Sequence, residues 1–278
     1  MAALFIPLYL LIKIGTLLTS YFQFRRTKTK VIYSSSNFLI VNKGTDFKIN
    51  SNNSKEVTVQ TFLKWKYPNI ANSKLYHEFY YPHRLDYATS GILCIPTNKK
   101  TCKVVSQVFS TRVARKYYIA IVRGSLSEEI LDINIPIGED IRYKDIQKMC
   151  TISEAAFCSK SRCARTVLIS IEKGLFDMYP ATKVLCRPIT GRRHQIRVHC
   201  FSVGHTIVGD FTYSNRKDNK PPQMYLHCIR LRLPNHIEDI DIATDDPYRG
   251  IENWSSVRTL MTISAAYNKI DEFIETKI

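Results

Sequence analysis

Chemistry could concentrate first at an aspartate set among small hydroxylated residues, His83-Arg84-Leu85-Asp86-Tyr87-Ala88-Thr89-Ser90-Gly91. A carboxylate in a loop that feeds directly into an apolar run, here residues 92–95, can be held rigidly, and the hydroxyls of Thr89 or Ser90 are placed to fix its rotamer. A loop aspartate that only caps a turn has the same surroundings. A second cluster is Thr190-Gly191-Arg192-Arg193-His194-Gln195-Ile196-Arg197-Val198-His199. On a helix, Arg193 and Arg197 share a face, as do Gln195 and His199. Two neighbouring guanidiniums repel unless they meet an anion, which could be a carboxylate or a phosphate. His194 and His199 are spaced poorly for one helical metal face and no third ligand motif accompanies them, so no metal site is expected. The third cluster, Lys116-Tyr117-Tyr118-Ile119-Ala120, reads as a strand that turns Lys116, Tyr118 and Ala120 to one face and Tyr117 and Ile119 to the other. An ordinary aromatic strand looks the same.

The elements that must position these groups follow from periodicity. Residues 31–33 and 38–41 read as two strands of a hairpin across a polar turn at 34–37. Residues 57–67 suit an amphipathic helix with Val59, Phe62, Leu63 and Trp65 as apolar positions, and 98–111 a second one on Val104, Val105, Val108 and Phe109. Residues 116–122 form the tyrosine-rich strand, closed by Gly124. Residues 164–171 and 182–187 read as successive strands, with Lys173-Gly174-Leu175 near the turn between them. A short helix over 193–203 ends at Gly204, a C-cap residue, and 224–233 alternates as a further strand. Strands with interspersed helices and no regular βα repeat argue for an α+β fold on a mixed or antiparallel sheet.

Together the three clusters resemble the RluA branch of the pseudouridine synthases. HRLDYATSG matches that family's HRLDxxTSG at every fixed position. GRRHQIRVHCFSVGHTIVGDFTY is similar to its GRxHQIRxHxxxxGxPIxGDxxYG block, and ARKYYIAIVRG to its KxYxAxxxG strand. VIYSSSNFLIVNK resembles the opening hairpin, so the likeness runs from about Val31 to Leu233. Tyr87-Ala88 and the cysteine-rich middle look closest to the eukaryotic RNA pseudouridylate synthase domain-containing proteins. The departures, Gly44 after Asn42-Lys43, Thr206 for the Pro of GxPI and Ser214 for the final Gly, all fall at turns. The resemblance implies a pseudouridine synthase fold, a mostly antiparallel mixed sheet flanked by helices with an RNA-binding cleft, and no metal or organic cofactor. It implies that Asp86 acts as nucleophile at C1′ or as base at C2′, that Arg197 pairs with Asp86, and that Tyr118 stacks on the target uracil and exchanges a proton. Arg84 would fill the gap left by a flipped-out nucleotide. His83, Arg193, His194 and Gln195 would contact RNA, and Leu226 and Leu233 would wall the pocket.

Composition agrees with a polyanionic partner. The 278 residues carry 40 Lys and Arg against 24 Asp and Glu, a formal charge of +16, which attracts nucleic acid, acidic membranes or acidic proteins without choosing among them. Glu238, Asp239, Asp241, Asp245 and Asp246 read as a solvated acidic face. The eight cysteines form no CxxC pair and suit reduced, mostly buried thiols of a cytoplasmic or organellar protein, a mitochondrial one included. Residues 1–30 stand apart from a catalytic domain over 31–278. Segment 2–24 is apolar enough to span a bilayer, but Lys13 and Pro7 interrupt it, so a membrane anchor, an organellar presequence and a misplaced start codon all remain open. The expected partner is RNA and the expected working unit a monomer.

Overall fold

The computed structural model describes residues 27–277 apart from 54 and 155, so the apolar segment 2–24 lies outside the described residues. No helix among the described residues is long and apolar enough to cross a membrane. The opening hairpin pairs β1 (Lys30–Ser34) with β2 (Phe38–Lys43), and α1 (Val59–Lys66) follows behind a Thr58 capping box. The loop of the first cluster leads into β3 (Ser90–Pro96), then α2 (Lys99–Ser110), capped by Asn98, and β4 (Arg115–Arg123). The middle of the chain adds β5 (Ile130–Ile133), β6 (Ile137–Asp140), β7 (Met149–Thr151) and β8 (Cys158–Arg162). The long hairpin β9 (Thr166–Phe176) and β10 (Tyr179–Pro188) follows. After α3 (Gln195–Ser202) come β11 (Leu226–Leu233), β12 (Ile240–Ala243), β13 (Trp254–Thr259) and α4 (Ile263–Glu275).

The main sheet runs β1-β2-β3-β11-β4-β10-β9-β13, with β12 beside β11 and β5 beside β9; β6, β7 and β8 form a separate small sheet. Every pairing in the main sheet is antiparallel except β3 with β11. That parallel seam needs Gly91. Its φ is +114°, and a Cβ there would lie 2.4 Å from the backbone N and O of Cys228 on β11. The result is an α+β fold whose central strand β4 is covered on both sides. Tyr118, Ala120 and Val122 join the core beneath α1 and α2, which also takes Ile196 and Cys200 of α3. Tyr117, Ile119 and Ile121 join the core beneath Ala266, Ile270 and Ile274 of α4.

Several sequence expectations change. Trp65 is 37% exposed and is not part of the buried face of α1. Gly174 is no turn residue: β9 runs through it, because a Cβ there would come within 2.3 Å of Ser255 O and 2.9 Å of Trp254 on the neighbouring β13. The turn is Asp177-Met178, both with positive φ, a two-residue hairpin connection. The acidic cluster is partly a set of staples. Glu238 accepts hydrogen bonds from Tyr33, Ser35 and Asn37; Asp241 pairs with Arg230 and Arg232; Asp246 pairs with the buried Lys183.

Helix α4 is locked to the central strand β4 by Asp271, which pairs with Arg115 of β4 and Arg187 of β10 and accepts from Tyr117 Oη of β4. Asp271→Ala would strand three donors in a half-buried place. It should lower unfolding free energy by about 2–4 kcal/mol, somewhat under the range for a fully buried ion pair. Urea titration of the variant against the parent checks this.

Candidate active site

The three chemical clusters meet at the N-terminal end of the parallel seam. Asp86 leaves the loop four residues before β3, Tyr118 stands on β4, Leu226 opens β11, and the 188–194 segment closes the far side ahead of α3. Together with Arg84, Arg193 and Arg197 they line one cavity of about 160 Å³. Asp86 keeps 19% of its side-chain surface exposed, and its Oδ2 lies 3.8 Å from Arg197 Nη1.

Arg197 is held chiefly by another carboxylate. Its Nε and Nη2 donate to Asp210 Oδ2 and Oδ1 at 2.6 and 2.8 Å, a bidentate fork, and its guanidinium lies 5.0 Å from the Tyr213 ring centroid. Burial works against the cation, but the hydrogen bonds and charge of Asp210, then the charge of Asp86, outweigh it and raise its pKa above the ordinary arginine value. Asp210 was present in the sequence block that carried the resemblance, yet spacing alone did not mark it as a partner. Its turn is itself fixed by Tyr213 N–H donating to Asp210 Oδ1.

Helix α3 begins at Gln195, later than periodicity suggested, because His194 adopts a left-handed conformation with φ 54°. Arg193 therefore does not share a helical face with Arg197; it projects, exposed, at the cavity rim. His194 Nδ1 is 3.0 Å from Tyr213 Oη. Gln195 is fully engaged inside the protein. Its Oε1 accepts from Thr190 Oγ1 and Arg192 N–H, and its Nε2 donates to Arg165 O and Thr166 Oγ1. His199 spends both ring nitrogens on Thr166 and Ile135, so it is a core histidine.

His83 lies behind the loop. Its Nε2 accepts from Cys94 N–H at 2.8 Å and its ring stacks on Phe109, so it sets the loop's path and does not face the cavity. Neither Thr89 nor Ser90 holds the Asp86 rotamer. Thr89 Oγ1 has no partner among the described residues, and Ser90 Oγ lies 2.8 Å from His227 Nδ1. The backbone does the holding: Thr89 N–H donates to Asp86 O, and the buried Lys43 Nζ donates to Gly44 O, Phe47 O and Tyr87 O. Burial lowers Lys43 to about 7, against the opposing charges of Asp46 and Asp86. Lys43 closes the opening hairpin, and nothing in its spacing pointed to this role. Leu233 is buried at the other end of β11, away from the cavity, whereas Leu226 is in its wall. Tyr118 is buried, and burial followed by the nearby Cys228 and Asp86 raises its phenol well above the ordinary value, so it is protonated at neutral pH.

Residues 37–202 match the family model for the RNA pseudouridylate synthase. A zebrafish (Danio rerio) protein, RNA pseudouridylate synthase domain-containing protein 1, is 40% identical over 219 residues, 78% of this chain and 74% of that protein. The dual-specificity RNA pseudouridine synthase RluA of Haemophilus ducreyi is 33% identical over 159 residues, 56% of this chain and 67% of that one. The solved structure of human RNA Pseudouridylate Synthase Domain Containing 1 superposes with a TM-score of 0.78 at 31% identity, over 88% of this chain and 95% of the other.

Two stability measurements test this geometry. Asp210→Ala leaves a buried guanidinium without its fork and should cost about 3–5 kcal/mol, whereas Asp86→Asn, which gives up only the long contact, should change stability by about 1 kcal/mol or less. Equal losses in urea titrations would contradict the division of labour. The second concerns pH. Burial pulls His83 down to about 3 and both His194 and His227 to about 4, while in an unfolded chain they titrate near 6.5. The unfolded chain binds more protons between those values, so stability should fall as pH drops from about 6.5 towards 4. His227→Gln should flatten part of that slope in urea midpoints taken at half-unit steps.

Proposed function

The chain belongs to the RNA pseudouridylate synthase family, and on that premise we propose that Asp86 is the carboxylate on which its reaction turns, with Arg197 and Tyr118 beside it. The protein is an RNA pseudouridine synthase, an isomerase that converts uridines in RNA to pseudouridines. The observation that carries the residue assignment is the single cavity in which Asp86, Tyr118 and Arg197 converge, with Arg197 reaching Asp86 while anchored on Asp210.

Pseudouridine formation breaks the uracil N1–C1′ bond, turns the base and joins C5 to C1′. Asp86 serves it either by bonding to C1′ or by taking the C2′ proton, and both routes need an ionised, oriented carboxylate near developing positive charge on the sugar. Arg197 faces that carboxylate at 3.8 Å and fixes its direction. Tyr118 offers a ring face to the uracil and a phenol that can donate a hydrogen bond to the sugar or the turning base. The reaction is redox-neutral and the departing base stays bound, so the proposed mechanism draws on no cofactor.

Entry of the uridine requires it to leave the RNA stack, which costs a few kcal/mol and least in loops. Arg84 and Arg193, exposed at the rim and without ion pairs among the described residues, are suited to phosphates or to stacking in the vacated place. His194, neutral at pH 7, lines the wall with them. The same reading keeps one copy as the working unit in the cytoplasm or an organelle, with segment 2–24 able to tether it to a membrane.

Pseudouridine mapping on RNA from cells lacking the protein, rescued with wild type or with Asp86→Asn, tests this. Discrete sites should vanish and return only with wild type, while the purified Asp86→Asn protein binds RNA within a few-fold of the parent. Restoration of the sites by Asp86→Asn would overturn the assignment.

A further inference from the structure

Lys116 is left over from the sequence clusters, and its position is unusual. It stands two residues before Tyr118 on the same face of β4 and lines the catalytic cavity. Its ammonium makes no hydrogen bond and no ion pair among the described residues; the Phe109 ring centroid lies 5.8 Å from Nζ, and the Cys228 thiol and His83 are within electrostatic reach. A Cβ at Gly191 would lie 3.6 Å from that Nζ, so the cation sits under the Thr190-Gly191 turn. Burial lowers its pKa. An amine held partly desolvated with no counter-charge is a stability penalty unless an anion arrives there during the reaction.

We propose that Lys116 is a catalytic residue that stabilises the uracil anion as it departs from C1′. This rests on the reading of Asp86 above. When N1–C1′ breaks, its electron pair stays on the base and spreads over N1, O2 and O4. The deficit at C1′ is met by a bond to Asp86 or by loss of the C2′ proton to it. After the base turns, C5 bonds to C1′ as the Asp86–C1′ bond breaks or as Asp86 returns the proton to C2′. The C5 proton then leaves and N1 gains one, so Asp86 and Lys116 end as they began and no other reactant is needed. A fixed cation in a water-poor cavity acts most strongly on charge that appears only in the transition state.

Position decides between the base and a phosphate. The RNA backbone must enter and leave the cavity, so its phosphates stay at the rim, where Arg84 and Arg193 are exposed. The base passes between Tyr118 and Leu226, and Lys116, two residues from Tyr118 on the same strand and less exposed than Arg84 and Arg193, is the cavity cation next to that place.

The probe is total RNA from cells lacking the enzyme, grown with or without 5-fluorouracil, whose base is the weaker base on leaving. Single-turnover rearrangement is read by chromatography and mass spectrometry of nuclease digests for wild type, Lys116→Met, Lys116→Arg and Asp86→Asn. The signal is pseudouridine formed from uridine and, because C5 of 5-fluorouridine carries fluorine and has no proton to lose, N1-linked 5-fluorouridine consumed. Lys116→Met should lose roughly 10²-fold in rate on uridine, with RNA affinity within about threefold of the parent as expected for an effect confined to the transition state. The loss should be clearly smaller on 5-fluorouridine, and Lys116→Arg should recover part of the rate. Should Lys116→Met not fold, Lys116→Gln replaces it under the same comparison.

Equal losses on both bases, or a loss seen mainly in RNA affinity, would overturn the proposal in favour of packing or a phosphate contact. An active wild type, an inactive Asp86→Asn and an unimpaired Lys116→Met would overturn the Lys116 role alone. Turnover by Asp86→Asn, or none by wild type, would instead sink the reading beneath it.

Discussion

A guanidinium that is 8% exposed must find acceptors inside the protein, and the site is arranged around that requirement at Arg197. Asp210 takes the fork, Tyr213 covers the cation's face, and Asp86 receives the reach of the remaining nitrogen. The two carboxylates are thereby given different work. One is wholly buried and spends its charge on Arg197; the other is partly open and keeps oxygens facing the cavity, where the proposed reaction would use them. A single carboxylate doing both would have to choose between anchoring the arginine and meeting substrate.

The pair also organises its neighbours. Tyr213 touches Arg197, His194 and the Met149 N–H of the small sheet, so the helix start, the 210–213 turn and the second sheet share one residue. On the other side of the cavity the constraint is backbone proximity. Gly91 lets β3 lie against β11, and Lys43 draws three carbonyls of the loop system together, so Asp86 is aimed by main chain with no hydroxyl holding it. Rigid main-chain positioning suits the role proposed for Asp86, since misplacing a reacting carboxylate by an ångström is expensive in rate.

How much of this the sequence disclosed depended on whether the cause was local. The hairpin, α1, α2 and β4 follow from periodicity and from Thr58 and Asn98 caps, which act within a few residues. Asp86, Tyr118 and Arg197 stood out by resemblance, and the fold brings them to one cavity. What escaped was set by contacts distant along the chain. Gly174 looked like a turn because its need for close approach to β13 involves Ser255 and Trp254. The late start of α3 depends on a left-handed His194 that no spacing rule indicates, and it moved Arg193 off the helix face. Gln195 resembled an RNA contact until its four partners were visible, and Asp210 drew no attention until Arg197 lay across it.

The seam between β3 and β11 has a temporal meaning as well. Ser90 and His227, whose side chains meet there, are 137 residues apart in sequence. Such a pairing closes a long loop before it gains contact energy, so it belongs among the slower steps of folding. During synthesis the Asp86 loop emerges first and waits, without Arg197, without Asp210 and without the strand that completes its wall. Synthesis proceeds at about 5–20 residues per second, so the loop spends many seconds as an exposed and chemically idle segment. The enzyme therefore becomes competent as a whole, late, and no partly made chain carries a working centre among the RNAs that surround the ribosome.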